Sequence, residues 1–86
     1  MFEAMVTINN QTGLHARPAT EFAKFCKNYS NKIELIKGET VTNPKSVISI
    51  LSGAYTAGTK AKLVVDGDEA EKVGKEILEF LNNLKG

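Results

Sequence analysis

Gly13-Leu14-His15-Ala16-Arg17-Pro18-Ala19 sets the only histidine of the chain two residues ahead of an arginine, where a polar loop gives way to a helix. The preceding Asn9-Asn10-Gln11-Thr12-Gly13 is loop chemistry, and helical periodicity follows. A helix start presents backbone N–H groups without intrahelical acceptors, together with the positive end of the macrodipole. It therefore attracts anions, phosphate above all. Arg17 adds a fixed charge with several donors suited to phosphate. Pro18 is tolerated in a first turn, where its missing N–H is not needed. The combination points to a nucleophilic imidazole facing a phosphate site.

Upstream of this run, Phe2, Ala4, Val6 and Ile8 alternate with Glu3, Met5, Thr7 and Asn9, the period of a half-buried strand. Downstream, Ala16, Ala19, Phe22, Ala23 and Cys26 mark one face of a helix from about Ala16 to Asn28, with Glu21, Lys24 and Lys27 outside it. Asn28-Tyr29-Ser30-Asn31 is a stop and turn cluster. Ile33 and Leu35 then alternate with polar residues, Lys37-Gly38-Glu39 supplies a turn, and Thr40-Val41-Thr42 returns as a short strand, so a hairpin is expected. Ser46 is the expected N-cap of a short helix carrying Val47, Ile48, Ile50 and Leu51 and ending at Gly53. Tyr55-Thr56-Ala57-Gly58 reads as a loop, and Ala61, Leu63 and Val65 as a strand. A last helix is expected from Gly67-Asp68, with Asp68 as cap, Glu71 three residues later, and a face of Ala70, Val73, Ile77, Leu81 and Leu84. Gly74 costs this helix roughly 1 kcal/mol against Ala, which close packing would explain. The order β-α-β-β-α-β-α predicts an α+β fold of two layers, an antiparallel sheet with the helices on one face.

With 86 residues, the chain is one small domain near the size where a single core is sufficient but not generous. A net charge of +1 gives no bulk electrostatic case for nucleic acid or an anionic membrane. No apolar run approaches the ~20 residues of a spanning helix, and the N-terminus lacks the basic start and apolar stretch of a signal peptide, so a cytoplasmic location is expected; a monomer is the separate expectation for its assembly. The single Cys26 excludes an internal disulfide and, with one histidine, cannot build a metal cluster. It reads as a small buried residue on a helix face.

The run from 13 to 19, within a close match over residues 12–20, resembles the active-site signature of the HPr family. These are the histidine-containing phosphocarriers of the bacterial phosphoenolpyruvate-dependent sugar phosphotransferase system. Element order leaves two folds open, the ferredoxin-like split βαβ and the HPr-like open-faced sandwich, and the His15 motif selects the second. The resemblance spans the chain and implies a single HPr-like domain over residues 1–86, a sheet order of 1-4-2-3 and all three helices on one side. A ferredoxin-like module for metal or RNA has no CxxC motif or aromatic strand signature here to support it.

The chemistry expected at His15 follows from its position. An unperturbed imidazole has a pKa of about 6.5. A helix start and Arg17 both disfavour the imidazolium, so the neutral nucleophile should predominate at cellular pH. The phosphoryl group is expected against the Ala16 and Arg17 amides and the Arg17 guanidinium, a charge compensation that needs no metal or cofactor. The resemblance implies that Nδ1 of His15 carries the phosphate, that enzyme I donates it, and that IIA domains of sugar permeases receive it. It implies a transferase-pathway component rather than a turnover catalyst. Ser46 matches the serine that a bifunctional HPr kinase/phosphorylase modifies in Gram-positive members, which adds that enzyme and a catabolite-control transcription regulator as partners. Val47, Ile48 and Leu51 crowd a helix too short to bury them all, and the matching helix of the family docks onto enzyme I and IIA proteins. This helix departs from the family pattern: Ser49, Gly53 and Ala54 stand where many members carry Gly at 49 and a Leu-Gly pair at 53–54, and Pro44 is less usual.

Overall fold

The alternation at Phe2, Ala4 and Val6 becomes the first strand, β1 (Phe2–Thr7), in a computed structural model that describes residues 1–8, 14, 16–53 and 55–84. It is followed by α1 (Ala16–Cys26), β2 (Lys32–Lys37), β3 (Thr40–Thr42), α2 (Val47–Ser52), β4 (Lys60–Asp66) and α3 (Ala70–Asn83). The strands are antiparallel and ordered β1-β4-β2-β3. Register places Val6 opposite Ala61, Ala4 and Leu35 on either side of Leu63, and Thr42 opposite Leu35, so one face of the sheet carries the apolar set. That face joins a single buried cluster with Ala19, Phe22, Cys26, Ile50, Val73, Ile77 and Leu81, so all three helices cover the same side. Glu3, Met5, Lys62, Glu34, Ile36 and Val41 occupy the uncovered side.

Several boundaries differ from the sequence expectation. α1 ends at Cys26, and Lys27 and Asn28 form a turn. Ala16 is exposed rather than on the inner face, and Pro18 takes its place against the core. Asp68 is not the cap of α3: Glu69, in the left-handed region at φ 54, accepts the first helical bond from the Val73 N–H at 2.9 Å. The Asp68 carbonyl is instead bonded by Asn31 Nδ2 at 2.8 Å, and the same amide reaches the Asp66 carbonyl at 2.9 Å. Asn31 thus holds the turn open for one residue longer. With no side-chain cap, α3 forgoes about 1 kcal/mol. Burial of Val73, Ile77 and Leu81, at roughly 1.5–3 kcal/mol each, outweighs that loss.

Gly74 shows why a residue of poor helix propensity sits inside α3. A Cβ there would stand 2.1 Å from Phe2 Cδ2 and 2.6 Å from Phe2 Cγ, so the helix approaches β1 where no side chain fits. Gly74→Ala gains about 1 kcal/mol of helix propensity but overpacks this contact, which costs about 1–3 kcal/mol. A lowered melting temperature is expected, and in a Phe2→Ala background the same change should raise it. A rise in the native background would show that the Phe2 ring moves aside freely.

Candidate functional site

Ala16 and Arg17 are the first two residues of α1, and both are exposed, so the helix start faces solvent. The N–H groups of a first turn have no intrahelical acceptor. Pro18, third in the helix and buried, has no N–H to leave unpaired and anchors the turn to the core. Thr20 Oγ1 donates to the Ala16 carbonyl at 2.7 Å. The Arg17 side chain is 88% exposed, with Nε 3.7 Å from Glu21 Oε1 one turn on, a loose pair worth little in water. The guanidinium is therefore held near the helix start without being spent there. His15, with residues 9–13 and Ala54, lies outside the described residues. Its neighbour Leu14 is 3% exposed and donates its N–H to the Tyr55 carbonyl at 2.6 Å. The chain entering His15 is thus tied to the segment that leaves α2.

α2 bears the second constellation. Ser46 is its N-cap, as expected, with Oγ accepting the Ser49 N–H at 3.3 Å and the Ser46 carbonyl accepting the Ile50 N–H at 3.1 Å. Ser49 reaches back in turn, its Oγ accepting the Asn43 N–H at 3.0 Å, while Asn43 Oδ1 accepts the Lys45 N–H at 3.0 Å. The pair is not a reciprocal capping box, because the Ser46 N–H donates to the Asn43 carbonyl at 3.0 Å rather than to Ser49 Oγ. Lys45 Nζ crosses to the Tyr29 and Asn31 carbonyls at 2.7 and 2.8 Å, fastening the entrance of α2 to the turn after α1. Nothing local in the sequence announced that contact.

Of the three apolar residues expected at a docking surface, Ile48 is 78% and Leu51 43% exposed. Val47 differs: it is half-buried and packs on the core beside Ile50, which is fully buried. A six-residue helix makes fewer than two turns, so its inner side takes Ile50 and part of Val47 and leaves Ile48 and Leu51 outward. Cys26 is buried on α1, and burial pushes its thiol up to about 12, so it stays protonated and is no competing nucleophile. No helix among the described residues is long and apolar enough to cross a membrane.

Fold and site together define a small α+β protein that presents a helix start and a solvated arginine to an anion, beside a short helix with outward aliphatic side chains. The family described as the PTS HPr component phosphorylation site matches residues 2–83. The chain is 35% identical over 71 residues to phosphocarrier protein HPr of Mycoplasma capricolum, covering 83% of this chain and 78% of that protein. The HPr-like protein Crh of Halalkalibacterium halodurans is 27% identical, covering 94% of this chain and 96% of the other. Among solved structures, HPr-C-His from Thermoanaerobacter tengcongensis superposes with a TM-score of 0.89 at 34% identity, covering 95% of this chain and 92% of that one. The chain belongs to the HPr family of the bacterial phosphotransferase system.

Proposed function

We propose that this chain is a cytoplasmic phosphocarrier in which His15 accepts a phosphoryl group from phospho-enzyme I and passes it to IIA domains of sugar permeases. The observation that carries the reading is a histidine placed immediately before the first residue of α1, with the exposed Arg17 guanidinium in the same turn. In the forward step an imidazole nitrogen of His15, assigned to Nδ1 by likeness to the family, attacks the donor phosphorus. The new P–N bond forms as the donor's P–N bond breaks, and the donor imidazole recovers its electron pair. The Ala16 and Arg17 amides and the Arg17 guanidinium take up the charge on the phosphoryl oxygens. A single solvated arginine suits a carrier, because a closed cage would hold the group too firmly for the second transfer. Incubation with phosphoenolpyruvate and enzyme I, read by mass, tests the reading: one acid-labile phosphoryl group supports it, and no uptake overturns it.

The cap geometry of Ser46 favours a second reading, an HPr-fold regulatory protein acting through phosphorylation of that serine by HPr kinase/phosphorylase and read by a catabolite-control transcription regulator. Likeness to Crh also supports it. A phosphoserine adds about −1.5 to −2 charge at a position the helix dipole tolerates. It would lie on the helix of Ile48 and Leu51, where an apolar interface would have to desolvate it. Both Ser46→Asp and Leu51→Glu are therefore expected to raise the Michaelis constant of enzyme I for this protein about tenfold, near 1.4 kcal/mol, with circular dichroism unchanged. Unaltered constants in both variants would remove α2 from the interface.

A further inference from the structure

Tyr55 stands in a stretch of turn-forming residues, yet it is 2% exposed and among the largest buried side chains. Its ring lies so close to Gly53 that a Cβ at residue 53 would stand 2.3 Å from Tyr55 Cε2 and 2.9 Å from Thr42 Oγ1. The ring thus fills the volume a larger residue at 53 would need, and Gly53 and Tyr55 act as a pair. The phenol donates its one proton between Thr42 Oγ1 at 2.8 Å and the Leu35 carbonyl at 3.3 Å. That bond fixes the ring to β2 and β3. Lys37 Nζ lies 5.3 Å from the ring centroid and donates to the Gly53 carbonyl, closing the end of α2 over the same ring. On its other side, the Tyr55 carbonyl accepts the Leu14 N–H at 2.6 Å, and Leu14 directly precedes His15.

We infer that Tyr55 is a positioning residue for His15: pinned to Thr42 by its hydroxyl, it holds through the Leu14 amide the chain that enters the phosphoryl acceptor. The inference rests on the phosphocarrier reading for its consequence and on Tyr55, Thr42, Gly53 and Leu14 for its geometry. A displacement of about 1 Å at a reacting group can cost about a hundredfold in rate, so a ring that sets where Leu14 is bonded has leverage on transfer. The same ring meets Gly53 at the end of α2, so the helix bearing Ile48 and Leu51 shares this anchor.

Tyr55→Phe removes the hydroxyl and keeps the ring, and Thr42→Val removes its partner and keeps the shape. The imidazole Cε1 proton of the only histidine gives an isolated NMR signal, whose position and titration report on His15 without any transfer. Each variant is expected to keep native circular dichroism, to shift that signal and its titration midpoint, and to lower kcat for transfer from phospho-enzyme I about tenfold with KM within about twofold. The double variant should lose no more than Tyr55→Phe alone, since removing the phenol already breaks the contact that Thr42→Val removes. Either variant alone suffices if the other fails to fold. An unmoved imidazole titration and kcat, with only the melting temperature lowered, would reduce Tyr55 to a structural brace and overturn the inference. A shifted titration in a protein whose native form takes up no phosphoryl group would uphold the positioning and overturn the phosphocarrier reading instead.

Discussion

His15→Ala takes up no acid-labile phosphoryl group from phosphoenolpyruvate and enzyme I, while its circular dichroism stays native. The loss is expected to be complete because the chain offers no substitute nucleophile. His15 is its only histidine, and the Cys26 thiol is buried and pushed up to about 12, leaving negligible thiolate at neutral pH. Serine and threonine hydroxyls could give only acid-stable esters, which acid treatment separates from a P–N bond. α1 does not depend on the substituted residue, since Pro18, Ala19, Phe22, Ala23 and Cys26 hold it against the core. Phosphoryl uptake at the native level in this variant would move the acceptor elsewhere and end the assignment.

What could be read in the sequence was what neighbouring residues decide among themselves. The alternation in β1, the stripe of Val73, Ile77 and Leu81 in α3, and the Ser46 cap are local patterns, and the structure keeps them. Motif chemistry at 13–19 is likewise contiguous, so the family was legible before the fold. The differences come from contacts distant in the chain. α3 starts late because Asn31, 37 positions before Asp68, takes the Asp68 carbonyl. Tyr55 lies in a loop, as its turn-forming neighbours indicate, but only Thr42 and Leu35, 13 and 20 positions away, explain why its ring is buried. Val47 could not be separated from Ile48 by periodicity, because four aliphatic residues within the six of α2 leave no clear stripe. Ala16 fell on the apolar spacing of α1, but the first turn of that helix points its start at solvent, which is what an anion site requires.

Arg17→Ala slows transfer from phospho-enzyme I about a hundredfold and leaves the melting temperature within a few degrees of native. The two halves of this expectation have separate physical causes. An arginine side chain 88% exposed, paired at 3.7 Å with a carboxylate itself 47% exposed, adds little to the folded state. Surface substitutions of this kind stay within about 0.5 kcal/mol, which for a domain of this size is about 2–4 °C. Transfer is different, because the phosphoryl oxygens bring their charge to the helix start in the transition state, and removing one donor aimed at such charge typically costs about 10²–10³ in rate. Arg17→Lys keeps the charge and loses the planar fork, so it should fall between the two, about tenfold below native. Glu21→Ala removes the carboxylate that competes for the guanidinium and should raise transfer slightly at low salt, an effect that salt screening erases. Arg17→Ala protein that transfers at the native rate per folded molecule would leave the helix-start amides as the whole of the phosphate site. A melting temperature that falls steeply with transfer intact would make Arg17 a structural residue, against its exposure in the fold.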